Sequence, residues 1–410
     1  MSAPVVIVGA GQAGLQIAES LRQEKYDGPI TLLGTEPHAP YNRPPLSKKW
    51  LLERPDIATL AIRGPEALQR RHIELQRHCT VTAIDRRAQE VHCADGRRFA
   101  YGGLAIATGA ALRTLPLPGA QLQGIHCLRT IEDAQAISAA LDACSAHGRP
   151  LVVIGGGFIG LEVAATARKR GVEVTVLESL SRLMSRVVAP IVSEAAARVH
   201  RSHGVQLRFD VNIAELLGTN GAVRAVRCAD GSEYAAGCVV IGVGIHPEDR
   251  LARAAGLECD RGIVVDECSR TSDPLIVAAG DCCARRRADG SLLRLESVQN
   301  AVEQGKSAAA ALLGQRRAFA AAPWFWSDQF DIKLQMVGLS HGYDQVVTRG
   351  DLERPAFSAF YFRAGRLIAV DSLNRIPDHM QGRKLLDHGL SPTPEQLATA
   401  GFELVSLLQP

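Results

Sequence analysis

No C-x-x-C pair occurs anywhere in this sequence, and no cysteine stands among its first 78 residues. The ten cysteines that follow, from Cys79 to Cys283, are scattered. None has the paired spacing of a zinc site, so no metal centre is expected. Thiols spread in this way fit a reducing compartment, where they act as small core residues. The chain also lacks an apolar run of the roughly 18 residues that a membrane-spanning helix needs. A strand-like run begins at Val5, leaving no room ahead of it for a signal peptide. The expectation is a soluble, cytoplasmic protein with no membrane partner. An excess of one charge is missing too. Lys and Arg number 46 against 43 Asp and Glu, a net charge of +3, which gives no reason to expect nucleic acid.

What the chain does have is glycine and buried β-branched runs. Its 410 residues, 46% of them hydrophobic, suffice for two or three domains. Residues 5–8 read Val-Val-Ile-Val and run into Gly9-Ala10-Gly11-Gln12-Ala13-Gly14. An uninterrupted apolar strand of this kind fits a parallel sheet covered on both faces. The G-x-G-x-x-G that follows supplies a tight turn, a close backbone approach for a pyrophosphate, and close packing of the next helix. A helix over residues 15–22 and a strand over 30–33 come next. Glu36 then stands about 22 residues beyond Gly14, where a Rossmann unit offers an acid to ribose hydroxyls.

The same order recurs. Leu-Val-Val-Ile at residues 151–154 leads into Gly155, Gly157 and Gly160, with Phe158 and Ile159 inside the turn. After a strand over 174–177, Glu178 takes the ribose position. Ser179 follows it, and the nearest basic residue is Arg182, so NADH is preferred over NADPH. Two such units suggest one tightly held flavin and one diffusing nicotinamide.

Between the turns, Pro44 and Pro45 stiffen the entry to a helix near Lys48 that Ser47 is placed to cap. A lysine at a helix start opposes the helix dipole, which favours a functional reading of Lys48. Residues 81–85 and 90–93 form a hairpin, with a turn at Asp95-Gly96 beyond it. A strand over 104–106 ends in Ala107-Thr108-Gly109, and another over 275–279 ends in Gly280-Asp281. Asp281 precedes a helix over about 298–313 and can meet the hydroxyls of a cofactor's ribityl chain. From Pro323 the composition changes. Trp324 and Trp326 are followed by four alternating segments, at 334–338, 345–349, 356–362 and 366–370. These read as an antiparallel sheet with one wet face, and with a helix over 377–387 they form an α+β domain.

These motifs together resemble the FAD-dependent, NADH-using ferredoxin reductases of bacterial oxygenase systems. The resemblance runs nearly end to end. It is carried by both glycine turns, Arg43-Pro44-Pro45-Leu46-Ser47-Lys48, Ala107-Thr108-Gly109, Leu128-Arg129-Thr130 and Gly280-Asp281-Cys282. It continues through Glu296-Ser297-Val298 and Pro323-Trp324-Phe325-Trp326-Ser327-Asp328-Gln329.

The resemblance implies an α/β fold. Two Rossmann-like, ββα-layered nucleotide-binding domains of glutathione-reductase type precede the C-terminal α+β domain. The FAD domain would span 1–109 and 243–322, with the NAD domain, 110–242, inserted between, and the C-terminal domain 323–410. It implies FAD contacts at Ala13, Lys48, Val81, Arg129, Asp281 and Val298, with Lys48 near the reactive flavin nitrogen. Arg43, Ala107, Thr108, Gly109 and Ser297 belong to the same motifs, and Trp326 is the aromatic expected near the flavin edge. Glu162 and Glu296 would orient the nicotinamide carboxamide. Relatives often carry an acid before Glu36 where this chain has Thr35, which either shifts the first ribose contact to Glu36 or weakens it.

The implied activity is hydride transfer from NADH to FAD, then single electrons to a two-iron two-sulfur ferredoxin that feeds a haem-thiolate monooxygenase. An acidic ferredoxin would meet a basic face, for which Arg285, Lys306, Arg316 and Lys333 are candidates. Two other readings are weighed against it. An NADH oxidase or peroxidase wants a redox cysteine near the flavin, and none is evident. A redox-switched interaction protein of the apoptosis-inducing-factor type usually adds targeting or interaction segments. The disulfide-reducing branch of the fold needs two cysteines about five apart over the flavin. The stretch Pro44–Lys48 offers none, and adjacent Cys282 and Cys283 read as packed thiols.

Overall fold

A computed structural model describes residues 2–408. The chain divides into two compact units, one of residues 2–42, 56–112 and 245–321, the other of 43–55, 113–244 and 322–408.

The first unit is built on a parallel sheet ordered Ile276–Ala278, Gly103–Ile106, Val5–Val8, Ile30–Leu33, Ile73–Gln76. Its central strand alternates between two apolar layers. Val5 and Ile7 pack with Leu15, Ile17 and Leu21 of the helix Gln12–Gln23 and with Ala308 and Ala309 of the helix Val298–Leu312. Val6 and Val8 pack with Val81, Ile84 and Val91. The latter belong to a three-stranded antiparallel sheet, Val81–Asp85, Glu90–Cys93 and Arg98–Ala100, so the expected hairpin is present. Period-two alternation with both faces apolar is why this strand reads as a continuous hydrophobic run.

The second unit repeats the plan. Its parallel sheet is ordered Gln206–Arg208, Val174–Leu177, Leu151–Ile154, Cys238–Ile241, Ile125–His126. Val152 and Ile154 pack with Leu216, Val223 and Val226 of a second three-stranded antiparallel sheet. Both units therefore stack an antiparallel sheet and a helical layer on opposite faces of a parallel one.

The same unit holds a five-stranded antiparallel sheet ordered Trp324–Gln329, Ile332–Gly338, Arg366–Leu373, Ala356–Arg363, Gln345–Asp351. Here the expectation of a wet face fails. Six consecutive residues, Phe357 to Phe362, are buried. One face carries Phe360, Phe362 and Val370 against Leu385 of the helix Ile376–Asp387. The other meets the region of the helix Pro190–Ser202. The Ala189 N–H donates to the Tyr361 hydroxyl at 3.2 Å, and His200 pairs with Gln329 at 3.0 Å. The small polar residues Ser358 and Ser372 bond to one another at 3.0 Å in the interior.

Among the described residues no helix is long and apolar enough to cross a membrane, and no cluster of His, Cys, Asp and Glu is arranged to hold a metal ion.

Candidate functional site

The first glycine turn follows from steric limits at three positions. Gly9 has φ +112°, and a Cβ there would stand 2.1 Å from the Ala107 carbonyl oxygen. At Gly14 a Cβ would stand 1.9 Å from the Gly9 carbonyl oxygen, so the helix lies directly on the turn. At Gly11 a Cβ would meet nothing within 4 Å. Gly11 is also the N-cap of Gln12–Gln23, and no side chain caps that end. Uncapped amides beside an open glycine are what a pyrophosphate requires. Gly280, φ +88°, brings Asp281 to the same turn, since a Cβ at Gly280 would stand 3.1 Å from the Ala13 Cβ. The Gly280 N–H donates to Gln304 Oε1 at 2.8 Å, on the helix capped by Ser297, whose hydroxyl accepts the Asn300 N–H at 3.1 Å. Gly305 lets that helix touch Gln16, 2.8 Å from where its Cβ would be.

The second turn is nearly a copy. Gly155 has φ +107°, and its Cβ would stand 2.5 Å from the Gly242 carbonyl oxygen; that of Gly160 would stand 2.2 Å from the Gly155 oxygen. Gly157 is open and caps Phe158–Lys169 with no side-chain bond. The acids differ. Strand register pairs Val8 with Leu33 and Ile154 with Leu177, so Gly34, not Glu36, is the counterpart of Glu178. Glu178 accepts the Gly156 N–H at 2.7 Å and the Leu180 N–H at 2.9 Å, one on each oxygen. The Ser179 hydroxyl also donates to Oε1, at 3.3 Å, so it is Oε2 that keeps a further lone pair for a ribose hydroxyl. Glu36 lies two residues beyond the strand-end position and accepts the Tyr41 hydroxyl at 2.5 Å. Arg182 is spent on its own loop, donating to Val188 O and Ser185 O, both at 2.8 Å.

A third centre forms at Glu162, on the helix behind the second turn. Its carboxylate is 4% exposed, and Lys48 Nζ stands 2.9 Å from Oε2. The Ser47 hydroxyl donates to the same oxygen, and the Ser327 hydroxyl donates to Oε1 at 2.6 Å. Thr166, one turn on, donates to Ser47 O at 2.9 Å. Ser47 therefore does not cap the helix Lys49–Glu53, whose N-cap is Lys48 with no side-chain bond. Its hydroxyl is drawn to the buried carboxylate, because a charge-assisted bond outweighs a cap on a five-residue helix. The carboxylate also offsets the unfavourable placing of a lysine at a helix start.

The other expected residues are spread over both units. In the first, the Thr108 hydroxyl donates to Glu248 O at 2.5 Å, and Glu296 pairs with Arg294. The Val81 side chain lies in the apolar layer, which leaves its backbone for any ligand contact. In the second, Arg43 Nη1 donates to Arg129 O at 2.6 Å. Phe158 tilts against Phe325 with centroids 4.8 Å apart, Trp326 against Trp324 at 5.6 Å, and Ile159 is exposed.

The basic candidates are less free than their sequence suggests. Arg285 donates to Phe319 O and lies over its ring, Lys306 pairs with Glu303 at 2.7 Å, and Arg316 pairs with Glu267 at 2.8 Å. Burial lowers the Arg285 guanidinium pKa from its ordinary value. Cys282 and Cys283 are both buried, their sulfurs 3.7 Å apart, and burial pushes the Cys283 thiol up. Sequence reasoning missed Ser327 and Gln304. Ser327 sits inside the quoted tryptophan motif, but no local pattern marks a partner 165 residues away.

Residues 3–305 match the family model described as pyridine nucleotide-disulphide oxidoreductase, and 324–408 the one described as reductase C-terminal. The sequence is 44% identical to rhodocoxin reductase of Rhodococcus erythropolis, over 98% of this chain and 93% of that protein. It is 42% identical to putidaredoxin reductase of Pseudomonas putida, over 98% and 96%. The fold matches a chain in the crystal structure of the covalent putidaredoxin reductase–putidaredoxin complex with TM-score 0.94 and 41% identity, covering 99% and 98% of the two chains.

Proposed function

The chain belongs to the ferredoxin reductases of the pyridine nucleotide-disulphide oxidoreductase family, and on that premise we propose that it is an FAD-dependent NADH:ferredoxin oxidoreductase. The observation that carries the reading is the pair of cradles, each with an open glycine at an uncapped helix start, at Gly11 and at Gly157. The first fits FAD. A pyrophosphate can approach the backbone at Gly11, and Asp281 is held beside Ala13 for hydroxyl groups. The second fits NADH as substrate, with Glu178 for its ribose. A 2′-phosphate would meet Glu178 while Arg182 is bound elsewhere, which supports NADH over NADPH.

When bound, FAD accepts an electron pair from NADH as a hydride and releases electrons singly. The chain's own residues bind and orient. Gly9, Gly11, Ala13, Gly14, Glu36, Ala107, Thr108, Gly109, Val81, Asp281, Ser297 and Val298 are assigned to FAD, as are Arg43, Arg129 and Trp326. Gly155, Gly157, Phe158, Ile159, Gly160 and Glu178 are assigned to NADH. Lys48, Glu162 and Glu296 are assigned to the reacting ends. Domain limits of 1–109 with 243–322, 110–242 and 323–410 follow the same division of labour. The electron acceptor is a two-iron two-sulfur ferredoxin serving a haem-thiolate monooxygenase. Arg285, Lys306, Arg316 and Lys333 are its basic contacts, and the compartment is the cytoplasm.

Stopped-flow absorbance tests the reading. NADH is expected to bleach the flavin quickly, and an acidic ferredoxin to speed its reoxidation steeply at low salt. Fast bleaching with no ferredoxin accelerating reoxidation sinks the proposal.

A further inference from the structure

We propose that Ser327, on the C-terminal sheet, is a positioning residue for the reductive step: it fixes the Glu162 carboxylate and, through it, the Lys48 ammonium. The inference rests on the reading above that Lys48 and Glu162 serve the reacting ends of FAD and NADH.

Glu162, ion-paired to Lys48, only accepts hydrogen bonds, so the single Ser327 proton points to Oε1 at 2.6 Å. Gln329 Nε2, 3.1 Å from Ser327 Oγ, must then donate to it. That turns the Gln329 oxygen toward His200, whose Nε2, 3.0 Å away, must donate in turn. Burial supports this assignment by holding His200 neutral, its pKa lowered to about 4. Every donor in the line from His200 through Gln329 and Ser327 points toward Glu162. Ser327, Gln329, Glu162 and His200 are all buried, so the direction is fixed in a low-dielectric setting.

Glu162 also receives Ser47 and Lys48 on Oε2, so each of its oxygens is held from a different part of the chain. A glutamate gripped on one oxygen can still turn about its side-chain torsions; one gripped on both cannot. Lys48 carries a point charge on a flexible stem, and its place is set by the carboxylate it meets. Removing the Ser327 hydroxyl frees Oε1 and leaves the ammonium with a partner that can rotate away.

The test uses FAD-loaded protein. Ser327→Ala is expected to slow NADH-driven bleaching roughly ten- to hundredfold at saturating NADH, the worth of a hydrogen bond to a charged group, with little change in KM. The flavin midpoint potential, measured by photoreduction without NADH, falls in the same direction as in Lys48→Met. Ser327→Thr, which keeps the hydroxyl, restores most of the rate. A folded, flavin-loaded Ser327→Ala with wild-type rate and potential overturns the inference. Should that variant lose its fold or flavin, Gln329→Met decides. A smaller slowing with the same fall in potential supports the inference, and wild-type behaviour overturns it. A wild type that NADH fails to bleach overturns the function reading and this inference with it; a bleached wild type matched by Ser327→Ala overturns this inference alone.

Discussion

At Gly14 and Gly160 an added Cβ would stand 1.9 and 2.2 Å from the oxygen at the head of its own turn, whereas at Gly11 and Gly157 it would meet nothing within 4 Å. The two turns share these closed and open glycines, and they differ in what surrounds them. The first has a second helix laid across its own, through Gly305 and Gln304, with Asp281 brought in beside Ala13. The second has an acid at the strand end bonded to the turn's own amide, and Glu162 gripped behind it. The closed glycines make a turn; on the proposed reading, the additions decide which dinucleotide stays and which leaves. A cradle closed in by a second helix suits a resident cofactor, while one with a strand-end carboxylate and an exposed Ile159 suits an exchanging one.

The largest effect should come from the closed positions. Gly14→Val forces the helix off its turn, costing about 3 kcal/mol or more. The purified protein should lack flavin and melt early. Gly160→Val should keep its flavin yet no longer be bleached by NADH. Flavin loss from both variants alike would erase the distinction between the turns.

The open positions should separate stability from binding. Gly11→Ala and Gly157→Ala fill space that no protein atom occupies, so the stability read from thermal melts should stay within about 0.5 kcal/mol of wild type. A methyl group where a pyrophosphate must approach costs roughly 1.4 kcal/mol, or tenfold. Gly11→Ala should weaken FAD retention, measured by fluorescence on dilution, and Gly157→Ala should raise the KM for NADH. Equal effects on both cofactors from one substitution would break the comparison.

The acids come next. Glu178→Ala removes a ribose acceptor and orphans the Gly156 amide, so the KM for NADH should rise several-fold, or about 1 kcal/mol. Glu36→Ala should change FAD binding less, because Glu36 lies off the strand-end position and is bonded to Tyr41. Titrations of the two variants check the ranking; a larger loss at Glu36 reverses it.

The smallest effect concerns the sheet that only the second unit carries. Burial raises the Asp371 carboxyl to about 7 from an ordinary 3.8, and its neighbour is the Tyr361 hydroxyl. The folded chain keeps a proton that the unfolded chain releases. The stabilisation is therefore full below about pH 4 and is lost as the pH rises through about 7. His200 acts oppositely: lowered to about 4 from 6.5, it costs stability as the pH falls through that window. Asp371→Asn should leave the His200 slope and that of His379, which burial likewise lowers to about 4, so its melting temperature should gain on wild type between pH 4 and 7. A constant difference across that range would place the ionisation elsewhere.

Much of this was legible in the linear sequence. The two strand–turn–helix units, the hairpin after Val81 and the helix begun by Ser297 all appear where apolar period and glycine spacing put them. These are local features, fixed by φ at Gly9 and Gly155 and by alternation along a buried strand. The acid at residue 36 was a different matter. Counting from Gly14 finds a glutamate, but only strand register shows that Gly34 holds the position of Glu178. The wet face of the C-terminal sheet was misjudged for a similar reason. Ser358 and Ser372 are polar, and their pairing in the interior is set by strands that meet only in the fold. The basic run at Arg285 reads as a free surface until Phe319 is placed beneath it.

The sequence by itself determined two nucleotide turns, their order along the chain, and the absence of a thiol pair near the first, because glycine spacing, strand period and residue identity are carried by neighbouring residues. The tertiary structure alone decided what Glu162 does. Its carboxylate is an ordinary helical residue until Ser47 and Lys48 arrive from 115 and 114 residues before it and Ser327 from 165 after it. A buried charge must be satisfied on every side, and the donors that satisfy this one come from two stretches of chain that no local pattern connects.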